Sequence, residues 1–342
     1  MKALLIRADA GGELGSGHVM RMIALAQAWI EEGGDVTMVT VQCPEKLAKR
    51  LHEEGIHHAK LHTTVIGSDD DLAETRDLAD RLGCKWIVLD GYEFQFDYQK
   101  GLTETDRKLL VMDDFLYSPE WCADLIVNQN PDCDPDGYVN KNPGGQVLRG
   151  SDYVLLRKEF WSVPIKSVPS EGSRKLLVSM GGVDADNLTG LLIEILNEVI
   201  AEPLEIRAIL GAGNPHEDEL KRLVIQSPHQ IELHMDVREM SAMYAWADLV
   251  ITAAGGTIWE WLRYAHRGGF FVVAENQRKL ADWLTSNLLG QELGLYIGGE
   301  SSIDKMVIKN WIEVAREHRL MPTREVVDGK GAKRLVEHMI AL

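Results

Sequence analysis

The 342-residue sequence has no apolar run approaching the ~18 residues of a membrane helix, so membrane insertion is not expected. Positive charge is in short supply. Lys and Arg number 36 against 53 Asp and Glu, a net charge of −17. A nucleic-acid binder needs a basic surface, so nucleic acid is not expected as a partner. An anionic ligand has to be held locally, by helix termini and a few arginines, and not by the global field. Cysteine is scarce too. Cys43, Cys84, Cys122 and Cys133 form no C-x-x-C pair, which argues against structural zinc and for reduced thiols in a cytoplasmic protein. The N-terminus runs straight into a strand, with no signal-peptide pattern. Short repeats, coiled-coil heptads and low-complexity segments are all lacking. His52, His57, His58 and His62 cluster by count alone; their spacing fits no zinc pattern, and they read as surface histidines.

Two glycine motifs are incomplete in informative ways. Gly12 to Gly17 has P-loop spacing, but His18 stands in place of the lysine and Val19 in place of the magnesium-binding hydroxyl, which excludes an NTPase. The dinucleotide fingerprint lacks its third glycine, where Met20 stands. It also lacks the acidic residue after the second strand, which ends in Gln42-Cys43-Pro44, so NAD is not expected and no cofactor is implied.

What remains is a strand, Ala3 to Ile6, then Gly11-Gly12-Glu13-Leu14-Gly15-Ser16-Gly17-His18, then a helix with Val19, Ile23, Ala26 and Ile30 on one face, ending at Gly33-Gly34. Such a loop presents backbone N–H groups and the positive end of a helix dipole to an anion. His18 at its mouth is either a helix-terminal residue with a satisfied ring or a catalytic base. The dipole disfavours the imidazolium and keeps the ring neutral. Arg21, one turn on, either binds an anion or pairs with Asp9.

Strand-like and helical runs alternate throughout, which predicts α/β domains with parallel sheets and helices on both faces. Strands are expected at Ala3–Ile6, Val36–Val41, Trp86–Leu89, Leu109–Met112 and Leu125–Val127, with a helix over Leu72–Leu82. A Pro-, Ser- and Gly-rich stretch within 161–174 reads as a linker. A second set of strands follows at Lys175–Ser179, Leu204–Leu210, Ile231–His234, Leu249–Thr252 and Phe270–Val273. The expected organisation is an N-terminal domain over 1–160 and a C-terminal domain over 175–342, both doubly wound and facing a cleft at the carboxyl ends of their strands.

Further candidates sit where cleft residues belong. Gly255-Gly256-Thr257 follows a strand and opens a helix, offering N–H groups and a hydroxyl to a phosphate. Glu260 in that helix either complements the dipole or accepts from ribose hydroxyls. Gly181-Gly182 begins another turn, with Asp186 or Asn187 as a helix cap. Asn276-Gln277 reads by spacing as a loop that can supply amide contacts. Asp90-Gly91-Tyr92 ends one strand and Asp113-Asp114 the next; successive strand residues point to opposite faces, which weakens the latter pair as a metal chelate. Asp69-Asp70-Asp71 reads as a helix start.

Together these segments resemble the UDP-2,4-diacetamido-2,4,6-trideoxy-beta-L-altropyranose hydrolase family of pseudaminic acid biosynthesis and related spore-coat polysaccharide proteins. The matching pieces are Arg7-Ala8-Asp9, Gly15-x-Gly17-His18-x-x-Arg21, Leu155-Leu156-Arg157-x-Glu159-Phe160, Met180-Gly181-Gly182-x-Asp184-x-x-Asn187, Ala247-Asp248 through Gly255-Gly256-Thr257-x-x-Glu260, and Ala274-Glu275-Asn276-Gln277. The resemblance implies a GT-B architecture with UDP in the C-terminal domain and a metal-independent hydrolysis of a UDP-sugar at its anomeric C–O bond. It implies His18 as the catalytic residue, the Gly255–Thr257 turn on the diphosphate, Glu260 on the ribose and backbone near Asp236-Val237 on the uracil. The family often has Asp-His-Tyr where this chain has Asp90-Gly91-Tyr92, and a Gly-x-Pro turn where Ala265 to Gly269 stand. The competing readings are a UDP-sugar-dependent glycosyltransferase on the same fold and a non-catalytic nucleotide-sugar binder.

Overall fold

The computed structural model describes residues 3–11, 14–103, 106–131, 133–139, 141–163, 175–211, 213–264, 266–317 and 326–342. The chain divides into two compact units. One comprises Met1–Trp161 together with Gly329–Leu342, the other Ser162–Asp328.

Among the described residues the first unit is built on seven strands: β1 (Leu4–Ala8), β2 (Val36–Thr40), β3 (His57–Lys60), β4 (Trp86–Asp90), β5 (Lys108–Met112), β6 (Leu125–Asn128) and β7 (Gln146–Arg149). They pair in parallel in the order β3-β2-β1-β4-β5-β6-β7. A parallel sheet covered on both faces must be apolar on both, and β1 divides accordingly. Leu4, Ile6 and Ala8 face one core, with the helix Gly17–Glu31. Leu5 faces the other, with Ala79, Phe94 and Trp121.

The second unit repeats that plan. Its strands β8 (Lys175–Ser179), β9 (Glu205–Leu210), β10 (Gln230–Met235), β11 (Leu249–Ala253), β12 (Arg267–Val272), β13 (Gly290–Ile297) and β14 (Glu300–Ser301) run in the order β10-β9-β8-β11-β12-β13-β14. Among the described residues only the final pair, β13 with β14, is antiparallel. In each sheet the winding reverses between the first and fourth strands, β1/β4 and β8/β11. Loops diverge there and ligands of such folds bind there.

The C-terminal boundary differs from the sequence expectation. Helix Gly331–Ala341 belongs to the first unit: Ala332, Leu335, Val336 and Met339 join the core around Gly17–Glu31, and Trp86 Nε1 donates to Met339 O at 3.1 Å. This second layer explains why Met22, Ala24, Leu25, Ala28 and Trp29 are buried besides the expected Val19, Ile23 and Ala26. Of the expected linker 161–174, residues 164–174 lie outside the described residues, as do Gly12, Glu13 and Ala265. Strands β3, β7, β13 and β14 add to those expected. No described helix is long and apolar enough to cross a membrane.

Candidate functional site

The glycine loop after β1 closes on itself: Gly11 N donates to Gly15 O at 2.9 Å and Leu14 N to Gly11 O at 3.0 Å. Gly15 has φ +66°, a left-handed conformation costly for a residue with a Cβ. The tight turn lets the next helix start at Gly17, placing His18 and Arg21 in its first two turns. Ala8 and Asp90 are register partners across the β1/β4 switch point, so the loop after β1 and the end of β4 lie side by side.

Five side chains meet there. His18 Nδ1 lies 2.7 Å from Asp90 Oδ1. Arg21 donates to Asp90 through Nε (2.9 Å) and Nη2 (2.6 Å), and to Asp114 through Nη1 (2.7 Å) and Nη2 (3.2 Å). The Tyr92 hydroxyl donates to Asp114 Oδ2 at 2.9 Å, and its ring stands edge-on to His18 with centroids 5.1 Å apart. Asp90 is 1% exposed; the His18 side chain keeps 15% of its surface.

Burial sets the electrostatics and pairing overrides it. Burial opposes charge on the imidazole, yet the Asp90 carboxylate, by charge and hydrogen bond, holds the His18 pKa above its ordinary value. The sequence reading, in which the helix terminus keeps the ring neutral, leaves out Asp90, whose carboxylate moves His18 the opposite way. Burial likewise opposes the charge on Asp90, but Arg21 and His18 hold its carboxyl well below the usual range. Burial and Asp114 push the Tyr92 phenol well up. An ionised Asp90 accepts from Nδ1–H, so in the neutral ring Nε2 is the nitrogen left to take a proton.

Other candidates lie elsewhere. Arg21 does not pair with Asp9. The Asp9 carboxylate takes Arg7 Nη1 at 2.5 Å and the backbone N–H groups of Val41 and Gln42 at 2.7 Å each, so it fixes the end of β2 and stands apart from the cluster. Asp113 and Asp114 turn to different partners: Asp113 accepts from Tyr138 and from the backbone N–H of Leu116 and Tyr117. Asp114, noted in sequence only as half of a poor chelate, proves to be the fifth member of the cluster. Its position at a strand's carboxyl end is the signal that points to it. Gly17 supplies the first turn of the helix and no side chain.

In the second unit Gly182, Val237, Gly255, Gly256, Thr257, Glu260, Asn276 and Gln277 all follow the carboxyl ends of strands of one sheet, β8, β10, β11 and β12. The loops pack tightly. A Cβ on Gly211, just after β9, would stand 2.1 Å from Gly182 O. Thr257 Oγ1 donates to Ala253 O at 3.3 Å, and Gln277 Oε1 accepts from Val273 N at 3.0 Å. Glu260, in the first turn of helix Thr257–Arg263, is 8% exposed, whereas Asn276 is exposed. Asn187 is the helix cap, accepting from Gly190 N at 3.1 Å, and Asp184 shares that work through Leu188 N and Thr189 N. Both are committed to the fold.

No family model matches the chain. Sequence similarity connects it with an uncharacterised protein of Methanocaldococcus jannaschii, 24% identical over 76% of this chain and 53% of that protein. The spore coat polysaccharide biosynthesis protein SpsG of Bacillus subtilis is 24% identical over 96% of this chain and 95% of its own length. The UDP-2,4-diacetamido-2,4,6-trideoxy-beta-L-altropyranose hydrolase of Campylobacter jejuni is 23% identical over 82% of this chain and 95% of its own. Among solved structures, MurG of Acinetobacter baumannii superposes with TM-score 0.66 at 14% identity, covering 100% of both chains. The spinosyn rhamnosyltransferase SpnG with thymidine diphosphate gives 0.61 at 15% identity, covering 100% of this chain and 96% of that one. The chain is thus a distant relative of SpsG and of the diacetamido-trideoxy-altropyranose hydrolase, on the fold of the GT-B glycosyltransferases.

Proposed function

We propose that this protein is an enzyme of nucleotide-sugar chemistry, and specifically a hydrolase that releases UDP from a UDP-linked diacetamido-trideoxyhexose. The observation that carries the reading is the 2.7 Å contact between His18 Nδ1 and Asp90. A buried carboxylate behind an imidazole is how a general base is oriented and its cation stabilised. His18 Nε2 takes a proton from water as the water oxygen bonds to the anomeric carbon. The C1–O bond to the diphosphate breaks, and its electron pair leaves with UDP. The sugar is released with inverted configuration.

The loops after β8, β10, β11 and β12 take the nucleotide in this reading. Gly182, Gly255, Gly256 and Thr257 meet the diphosphate, Glu260 the ribose and Val237 the uracil, with Asn276 and Gln277 supplying amide contacts. Backbone N–H donors set in place before reaction stabilise the charge that grows on the leaving group. The relatives' names support the substrate class. No metal enters the step, and turnover in excess chelator checks that.

The second reading is a glycosyltransferase, favoured by the names of the structural neighbours; there His18 activates an acceptor hydroxyl. The deciding experiment incubates the protein with a panel of UDP-sugars in ¹⁸O-water, without acceptor. Release of UDP with label in the sugar supports hydrolysis at carbon. Label in UDP, or release only when an acceptor is added, contradicts it.

A further inference from the structure

The sequence leaves Arg21 open between an anion ligand and a partner of Asp9, and offers Asp114 only as half of a poor chelate, but the geometry spends both internally. Arg21 directs Nε, Nη1 and Nη2 at two carboxylates at 2.6–3.2 Å, and its side chain is only 11% exposed. Asp114 receives Arg21 on both oxygens and Tyr92 on one, and its backbone carbonyl is pinned by Asn130 Nδ2 at 3.0 Å. Tyr92 closes the path by laying its ring edge-on to His18. The contacts run as one circuit: His18, Asp90, Arg21, Asp114, Tyr92 and back to His18.

We propose that Arg21 and Asp114 are positioning residues that act on His18 through Asp90, holding its ring and fixing which nitrogen is basic, and that neither binds substrate. The inference rests on the reading of His18 as the base. Its physical content is a balance of charge. Among the described residues, the groups facing His18 are Arg21 from its own helix, Asp90 and Tyr92 from the end of β4, and Asp114 from the end of β5. One guanidinium between two carboxylates leaves one unbalanced negative charge beside the imidazole, so accepting a proton makes the circuit neutral. Arg21 alone disfavours the imidazolium, whereas Asp114 favours it. Removing either must therefore move His18 in opposite directions, which simple loosening of the fold does not do.

The test is an NMR titration of the His18 ring in the full chain without substrate, for wild type, Asp114→Asn and Arg21→Gln, with UDP binding measured by calorimetry on the same samples. The expected result is a downward shift of the His18 midpoint in Asp114→Asn, an upward shift in Arg21→Gln, and unchanged UDP affinity. A midpoint that stays put in Asp114→Asn, shifts of the same sign in both variants, or a loss of about tenfold in UDP affinity for Arg21→Gln, the size of a forfeited ligand contact, overturns it. If Arg21→Gln does not fold, Asp114→Asn decides alone, a downward shift supporting the circuit and no shift refuting it. The titration needs no turnover, so the circuit stands or falls separately from the base, which His18→Asn tests by activity.

Discussion

Arg7 and Asp71 form a two-bonded ion pair, Nε to Oδ1 at 2.9 Å and Nη2 to Oδ2 at 2.6 Å, in which neither side chain is exposed to solvent. The pair joins β1 to the helix Asp69–Leu82 across 64 residues, just before the glycine loop leaves the sheet. Asp71 also accepts from Tyr98, Thr75 and Gly67 N, which gives both carboxylate oxygens several donors. A buried pair this well satisfied costs little to keep and much to break.

Asp71→Asn is expected to lower unfolding stability by about 3 kcal/mol, the low end for a broken buried pair, because Asp9 still holds Arg7 Nη1. The pH dependence has a definite sign. Burial opposes the Asp71 charge, but Arg7 outweighs it and holds the carboxyl below its ordinary range. Its contribution is therefore complete above the usual carboxylate pKa of ~4 and drains away as pH falls below it. Urea unfolding at several pH values should show the gap between wild type and variant narrowing in acid. A gap independent of pH would contradict this account of the pair.

Truncation after residue 328 is expected to unfold the first unit while leaving the second cooperative. Leu335, Val336 and Met339 are each at most 1% exposed, all within the core around Gly17–Glu31. Burying each such side chain contributes about 1.5–3 kcal/mol, so the sum rivals the whole stability of a domain. Calorimetry of the truncated chain should lose one transition. Two intact transitions would show that the helix is dispensable.

Glu260→Ala is expected to raise KM for the UDP-sugar with a smaller change in kcat, as befits a contact made equally in ground and transition states. Steady-state kinetics on the active UDP-sugar provide the check. An unchanged KM removes Glu260 from nucleotide binding.

The parts of the site that were legible are the local ones. The loop from Gly11 to Gly17 and the helix after it read directly, because glycine spacing and a 3.6-residue apolar period are written in adjacent residues. Strand β3 does not: four residues, His57 to Lys60, at the sheet edge carry no apolar run. Strand β13 is hidden by Gly and Glu within it and by a register shift opposite Phe270 and Phe271. Asp90 meets His18 across 72 residues and Asp114 meets Arg21 across 93, partnerships that only the sheet order creates. Asp9 and Asn187 illustrate the converse. Each follows the carboxyl end of a strand, and each is consumed in fixing its own loop. A polar residue at a strand's carboxyl end is a candidate by position, and only its hydrogen-bond partners say whether it is available.

The helix Gly331–Ala341 shows the same limit at domain scale. Its amphipathic pattern predicts a buried face but not which core receives it, and the core it joins is some 300 residues away in sequence.

In the proposed reaction the His18 imidazole takes the proton of the attacking nucleophile. His18→Asn keeps a similar shape and removes the base, so single-turnover kinetics with an active UDP-sugar, paired with UDP calorimetry, test it directly. The expected result is a fall of about 10²–10⁴-fold in the rate of the chemical step with UDP affinity unchanged. A variant that turns over at close to the wild-type rate would contradict it.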